Sequence, residues 1–177
     1  MIRCSIVDKK KKLIFNRDIR ISMIISLNLD DCYYNMTKNA IKRILVPLDG
    51  SKNSFRGLDE AIIVAINCHA SLTGLYVTPL SPPASNAQKA YIKNYLLKRA
   101  SKFMEKAYSR CAQNGIVFFE NMLYGDEGPK IVKFAHDRKF DLIVVGSRGM
   151  GSLKEMFLGS ISNYVVHKAK ILVLIVK

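Results

Sequence analysis

The chain has 177 residues, 49 % of them hydrophobic, which suits one domain of ordinary size and does not accommodate a second beside it. Eight Phe, eight Tyr and dense Val, Ile and Leu exclude disorder for the whole chain, and no apolar run reaches the roughly 18–20 residues of a membrane span, so a soluble protein is expected. Lys and Arg number 28 against 14 Asp and Glu, and this net charge of +14 points to anionic partners, without separating a nucleotide in a cleft from nucleic acid or anionic lipid on the surface.

Residues 1–35 differ from the rest: four lysines, Lys9 to Lys12, precede Leu13-Ile14-Phe15 and an apolar stretch around Ile21 to Leu29. Ser22, Ser26 and Asn28 interrupt that stretch and no A-x-A-like cleavage site follows, so it does not read as a signal peptide. A basic, poorly ordered and dispensable N-terminal extension is expected, followed by one domain over 36–177.

The domain opens with Arg43-Ile44-Leu45-Val46-Pro47-Leu48, an apolar run closed by Asp49-Gly50-Ser51, which predicts a strand buried on both faces. Asn53 or Ser54 is the expected cap of a helix running to about Cys68. Ser71 to Val77 is the second strand, and Pro79, Pro82 and Pro83 make 78–86 a surface loop. The longest helix spans 87–113, with Ile92, Leu96, Ala100, Phe103, Ala107 and Cys111 on one stripe and its cations mostly elsewhere. Ile116 to Leu123 is the third strand. Asp126 is the expected cap of the next helix, which carries Pro129 in its first turn and ends near Arg138. Asp141 to Gly146, a glycine-rich stretch, a helix over Ser160–Lys168 and a last strand over Ile171–Val176 complete a βαβαβαβαβ order.

Strands apolar throughout and alternating with helices imply an α/β fold, a doubly wound five-stranded parallel sheet with helices on both faces. With strand order 3-2-1-4-5, the winding reverses between the first and fourth strands, and ligands of such sheets bind beyond the strand ends at that switch point. Those two strands end in Asp49-Gly50-Ser51 and Gly146-Ser147-Arg148-Gly149.

The segment from Gly146 to Ser160 has the context of a phosphate site: it follows a strand and leads into a helix, whose first N–H groups and dipole attract anions. It contains neither G-x-x-x-x-G-K-[ST] nor G-x-G-x-x-G, since Lys154 stands at the third glycine of the latter. The competing reading is a plain loop with a capping box, Ser152-x-x-Glu155. His69, His136, His167 and the four cysteines have no metal-ligand spacing, so no protein-ligated metal is expected, and the cysteines read as reduced thiols of a cytoplasmic protein.

Gly146, Gly149, Gly159 and Ser160 match the G-2x-G-9x-G-[ST] pattern of the nucleotide-binding members of the universal stress protein family. The domain resembles that family also in Ile44 to Ser51, Leu75-Tyr76-Val77, Asp141 to Gly149 and Val173 to Val176. The resemblance implies ATP at the switch point, with Mg2+, and a homodimer paired through the last strand. It also implies that Pro47 and Asp49 approach the adenosine, that Val77 lines the adenine pocket, and that Gly146, Arg148, Gly149, Gly159 and Ser160 surround the phosphates. Asp49 alternatively orients the ribose or a phosphate-bound magnesium ion. At Gly159 no side chain is expected to be tolerated by the ligand: a bulky residue would push the helix N-terminus away from the phosphates and abolish binding while the fold is retained. One departure is Ala169-Lys170-Ile171-Leu172, where many relatives read Ala-x-x-Pro.

The functional expectation is an ATP-binding regulatory protein of the stress response. No catalytic set is assignable, and Asp49 or a bound water would support at most slow ATP hydrolysis. The alternative from a different class is a basic module acting on nucleic acid through the 89–110 helix and Lys9 to Lys12, with the nucleotide pocket vestigial.

Overall fold

The computed structural model describes the strand backbones Lys12–Phe15 and Met23–Ser26 and residues 41–78, 86–149 and 158–177, with backbone alone over most of 86–97. The elements are β1 (Lys12–Phe15), β2 (Met23–Ser26), β3 (Arg43–Pro47), α1 (Lys52–Cys68), β4 (Ser71–Thr78), α2 (Asn86–Gln113), β5 (Phe118–Tyr124), α3 (Glu127–Asp137), β6 (Leu142–Gly146), α4 (Ser160–Lys168) and β7 (Leu172–Val176).

They form one sheet in the order β1-β2-β7-β6-β3-β4-β5. Its five-stranded parallel part, β5-β4-β3-β6-β7, is the expected 3-2-1-4-5 winding, fixed in register by Leu45 opposite Thr73 on one side and Ile143 on the other. In β3, Ile44, Leu45 and Val46 are all fully buried, because alternate residues enter opposite layers. Ile44 and Val46 join Leu58 of α1 and Phe103 and Ala107 of α2, while Leu45 joins Ile131 of α3 and Val165 of α4. Helices on both faces explain why these strands carry no polar alternation.

Two local outcomes differ from the sequence expectations. The α1 cap is Ser51, not Asn53 or Ser54: its hydroxyl accepts the Ser54 N–H at 3.1 Å, and its own N–H donates to Asp49 Oδ1 at 2.8 Å. Asp126 is at the N-cap of α3 but makes no side-chain capping bond. The polyproline loop (79–85) and the Ser152-x-x-Glu155 capping box lie outside the described residues.

Within 1–35, where the sequence predicts no regular element, β1 and β2 form an antiparallel pair, and β2 joins β7 with Ile24 opposite Ile175. The outer edge of β7, which the family resemblance assigns to a homodimer, is therefore occupied by the same chain. Among the described residues no helix is long and apolar enough to cross a membrane.

Candidate nucleotide site

The switch point lies between the carboxyl ends of β3 and β6, and the loops leaving them approach each other there. From β3, Gly50 turns the chain with φ +84°, a left-handed conformation that favours glycine, so that Asp49 faces the cleft while Ser51 starts α1. From β6, Gly149 sits directly across: a Cβ built on it would fall 2.9 Å from Asp49 Oδ2. Pro47 and Val77 occupy the ends of β3 and β4, with Val77 buried, so the structure gathers the residues expected at the adenosine end on neighbouring strands.

The phosphate end is built by closing the glycine segment on itself. The Ser147 N–H donates to the Val176 carbonyl at 2.6 Å, which seats the segment on β7. The Ser147 carbonyl accepts the Gly159 N–H at 2.8 Å, bringing the N-cap of α4 beside the end of β6. The first i→i−4 bond of α4 runs from Asn163 to Gly159, so the N–H groups of the first turn, Ser160 to Ser162, have no intrahelical acceptor, which is the arrangement that attracts an anion to a helix start. Ser160 is exposed and Arg148 half-buried at this end. Residues 150–157 lie outside the described residues.

The three glycines of the motif divide by what a side chain would meet. At Gly146 a Cβ would lie 2.6 Å from the Asn53 carbonyl oxygen and 2.7 Å from its carbon, so this glycine is required by the close approach of α1. Gly159 has φ −70°, and among the described residues its Cβ would find nothing nearer than Arg148 Cα at 3.4 Å. At Gly149 the atom met among the described residues is the tip of the Asp49 side chain. Among the described residues the protein therefore leaves room for a methyl group at Gly159, and any intolerance of a side chain there would lie in ligand binding rather than in the fold.

Two cleft residues escaped the sequence reading. Ser162 is buried, with its hydroxyl on the Ser147 and Gly159 carbonyls, and no local pattern marks contacts made across the segment. Glu127, the first residue of α3, has its carboxyl pushed above the usual range by burial, then by the charges of Asp49 and Asp126. Among the described residues no three His, Cys, Asp or Glu side chains assemble as a metal-binding group.

A universal stress protein family model matches residues 40–177, most of the chain. The chain belongs to the universal stress protein family. Among curated relatives, universal stress protein MJ0531 of Methanocaldococcus jannaschii is 32 % identical over 144 residues, covering 79 % of this chain and 84 % of the relative. Among solved structures, universal stress protein UspA from Lactobacillus plantarum superposes with a TM-score of 0.70 at 26 % identity, over 79 % of this chain and all of that one. A universal stress protein solved in complex with cAMP matches with a TM-score of 0.60 at 26 % identity, over 78 % and 98 % of the two chains. These neighbours share the five-stranded parallel sheet, and the last shows that a nucleotide is bound within the family.

Proposed function

We propose that this chain binds an adenine nucleotide, ATP, at the β3/β6 switch point and acts as a regulatory module of the cytoplasmic stress response. In this reading the phosphates rest on the first turn of α4, against Gly149, Gly159 and Ser160 with Arg148 beside them, and the adenosine lies toward Pro47, Asp49 and Val77. The observation that carries it is the pair Gly149 and Gly159: among the described residues neither packing nor backbone conformation demands a glycine at 159, and at 149 a side chain would meet the Asp49 carboxylate, yet both line a helix N-terminus. A cradle that a Cβ would fill fits a phosphate group, whose approach a side chain would block. Magnesium commonly binds through phosphates and one or two carboxylates, and Asp49 is the carboxylate that this cleft turns toward Gly149.

The nucleotide-binding unit is then 36–177. A homodimer through the last strand is part of the proposal only with β2 displaced from the β7 edge. Titration calorimetry with ATP, ADP and AMP in magnesium buffer tests the reading. One site per chain and a raised melting temperature are expected, because a ligand selective for the native state stabilises it by mass action. Absence of heat and of any thermal shift at millimolar nucleotide would overturn it.

A second reading has its own observation. On α2, Lys98, Lys102 and Lys106 are exposed at four-residue spacing, and Arg99 is exposed beside them. Arg110, further along the helix, is drawn into an ion pair with Asp59 of α1 at 2.5 Å. Such a flank suits nucleic-acid phosphates, with affinity falling steeply as salt rises, whereas a mononucleotide in the cleft is far less salt-sensitive.

A further inference from the structure

We propose that Ser162 is a positioning residue for the phosphate-binding end of the cleft, latching the two ends of the glycine segment so that the first turn of α4 presents its N–H groups in a fixed place. This inference rests on the nucleotide reading of the same site. The Ser162 side chain is 2 % exposed, and its hydroxyl sits 2.8 Å from the Ser147 carbonyl oxygen, fifteen residues upstream, and 2.9 Å from the Gly159 carbonyl oxygen. It therefore bridges the exit of β6 to the N-cap of α4. Gly159 and the exit of β6 are in contact there: a Cβ on Gly159 would lie 3.4 Å from Arg148 Cα and 3.7 Å from the Gly149 nitrogen.

The hydroxyl is not needed to satisfy either carbonyl. Ser147 O already accepts the Gly159 N–H at 2.8 Å, and Gly159 O accepts the Asn163 N–H at 2.9 Å. Removing it leaves no orphaned acceptor, so the cost of an unpaired buried group does not arise. Helix propensity does not select serine either, since alanine is the better helix former. What the hydroxyl adds is a second tie, beside the Gly159 N–H to Ser147 carbonyl bond, between the exit of β6 and the start of α4. Donors aimed at a phosphate act only when they are held in place before the ligand arrives, and loosening them by a fraction of an ångström weakens binding.

The experiment compares the full chain with Ser162→Ala and Ser162→Thr, measuring affinity for ATP and for adenosine, which carries no phosphate. The alanine variant is expected to keep its cooperative melt, lose about tenfold in ATP affinity, and bind adenosine as the unmodified chain does. Threonine keeps the hydroxyl and is expected to restore ATP affinity. Should the alanine variant fail to fold, Ser162→Cys, close in volume but a weak donor, is expected to show the same phosphate-selective loss. ATP affinity within twofold of the unmodified chain, or equal losses for ATP and adenosine, would overturn the positioning role. An unmodified chain that binds no ATP would instead remove the nucleotide reading, and this inference with it.

Discussion

Replacing Gly146 by alanine tests whether this glycine belongs to the fold rather than to the ligand. The added methyl would sit 2.6 Å from the Asn53 oxygen and 2.7 Å from the Asn53 carbonyl carbon, with the Ser54 nitrogen at 3.1 Å. These distances are about 1 Å inside the 3.5–4.0 Å at which carbon atoms attract. All three atoms are backbone in the first turn of α1, so no side chain can rotate away and the helix terminus itself has to move. The same close contact continues one turn along α1, where a Cβ on Gly57 would lie only 3.2 Å from the Gly146 nitrogen, so α1 already lies tight against the end of β6. Overpacking of this kind costs about 1–3 kcal/mol, and a clash with backbone alone belongs near the top of that range. At roughly 2–4 °C per kcal/mol for a chain of this size, the melting temperature should fall by about 6–12 °C. Thermal melts followed by circular dichroism, with urea unfolding at an unchanged slope, provide the measurement. A Gly146→Ala variant that melts within 2 °C of the unmodified chain would refute the packing argument.

Gly159→Val should retain a cooperative fold, since its Cβ has room, but lose ATP, and normal ATP binding by this variant would show that the phosphates lie elsewhere. Glu127→Gln should raise the melting temperature more at pH 7 than at pH 4. The Glu127 carboxyl is pushed up in the folded chain, so folding favours its protonated form, and that contribution is lost as pH rises through the raised value. An equal difference at both pH values would contradict this. The Cys111 thiol is pushed up to about 12 by burial and by Asp59, so peptide mapping after native alkylation at pH 8 should find Cys68 modified and Cys111 intact until urea is added. Native modification of Cys111 as fast as Cys68 would count against its burial. Thr78→Val should leave stability unchanged or raise it, because the Thr78 hydroxyl is fully buried with no hydrogen-bond partner among the described residues, and a fall of several degrees in the melt would reveal one.

The parallel sheet was legible because its strands are short apolar runs between turn residues, and the full burial of Ile44, Leu45 and Val46 is what that pattern means physically. The strand ends were legible for the same reason, which located Asp49 and Gly149 before their mutual approach was known. Start signals at helix ends were less specific. Ser51, Asn53 and Ser54 are all good caps by type, and the choice fell to Ser51 because Asp49 holds its N–H while its hydroxyl takes that of Ser54. The glycines looked alike in sequence, and only the positions of α1 and β6 separate Gly146, which α1 crowds, from Gly159, which nothing crowds. Ser162 and Glu127 carry no local signal. Ser162 acts on a carbonyl fifteen residues away, and Glu127 at the start of α3 is perturbed by Asp49 in the loop after β3. The pairing of β2 with β7 joins segments about 150 residues apart, beyond the reach of any periodicity.

The central claim is a location: nucleotide phosphates on the first turn of α4 across from Gly149. Following backbone amide shifts by NMR while ATP is titrated into the full chain tests it most directly, with adenosine titrated in parallel. The account predicts that ATP moves the amides of Gly149, Ser160, Ile161 and Ser162 most, and that adenosine moves those of Asp49 and Val77 but spares the α4 turn. If ATP leaves the α4 turn unmoved and shifts Lys98, Lys102 and Lys106 instead, the phosphates bind the basic flank of α2 and the claim is contradicted.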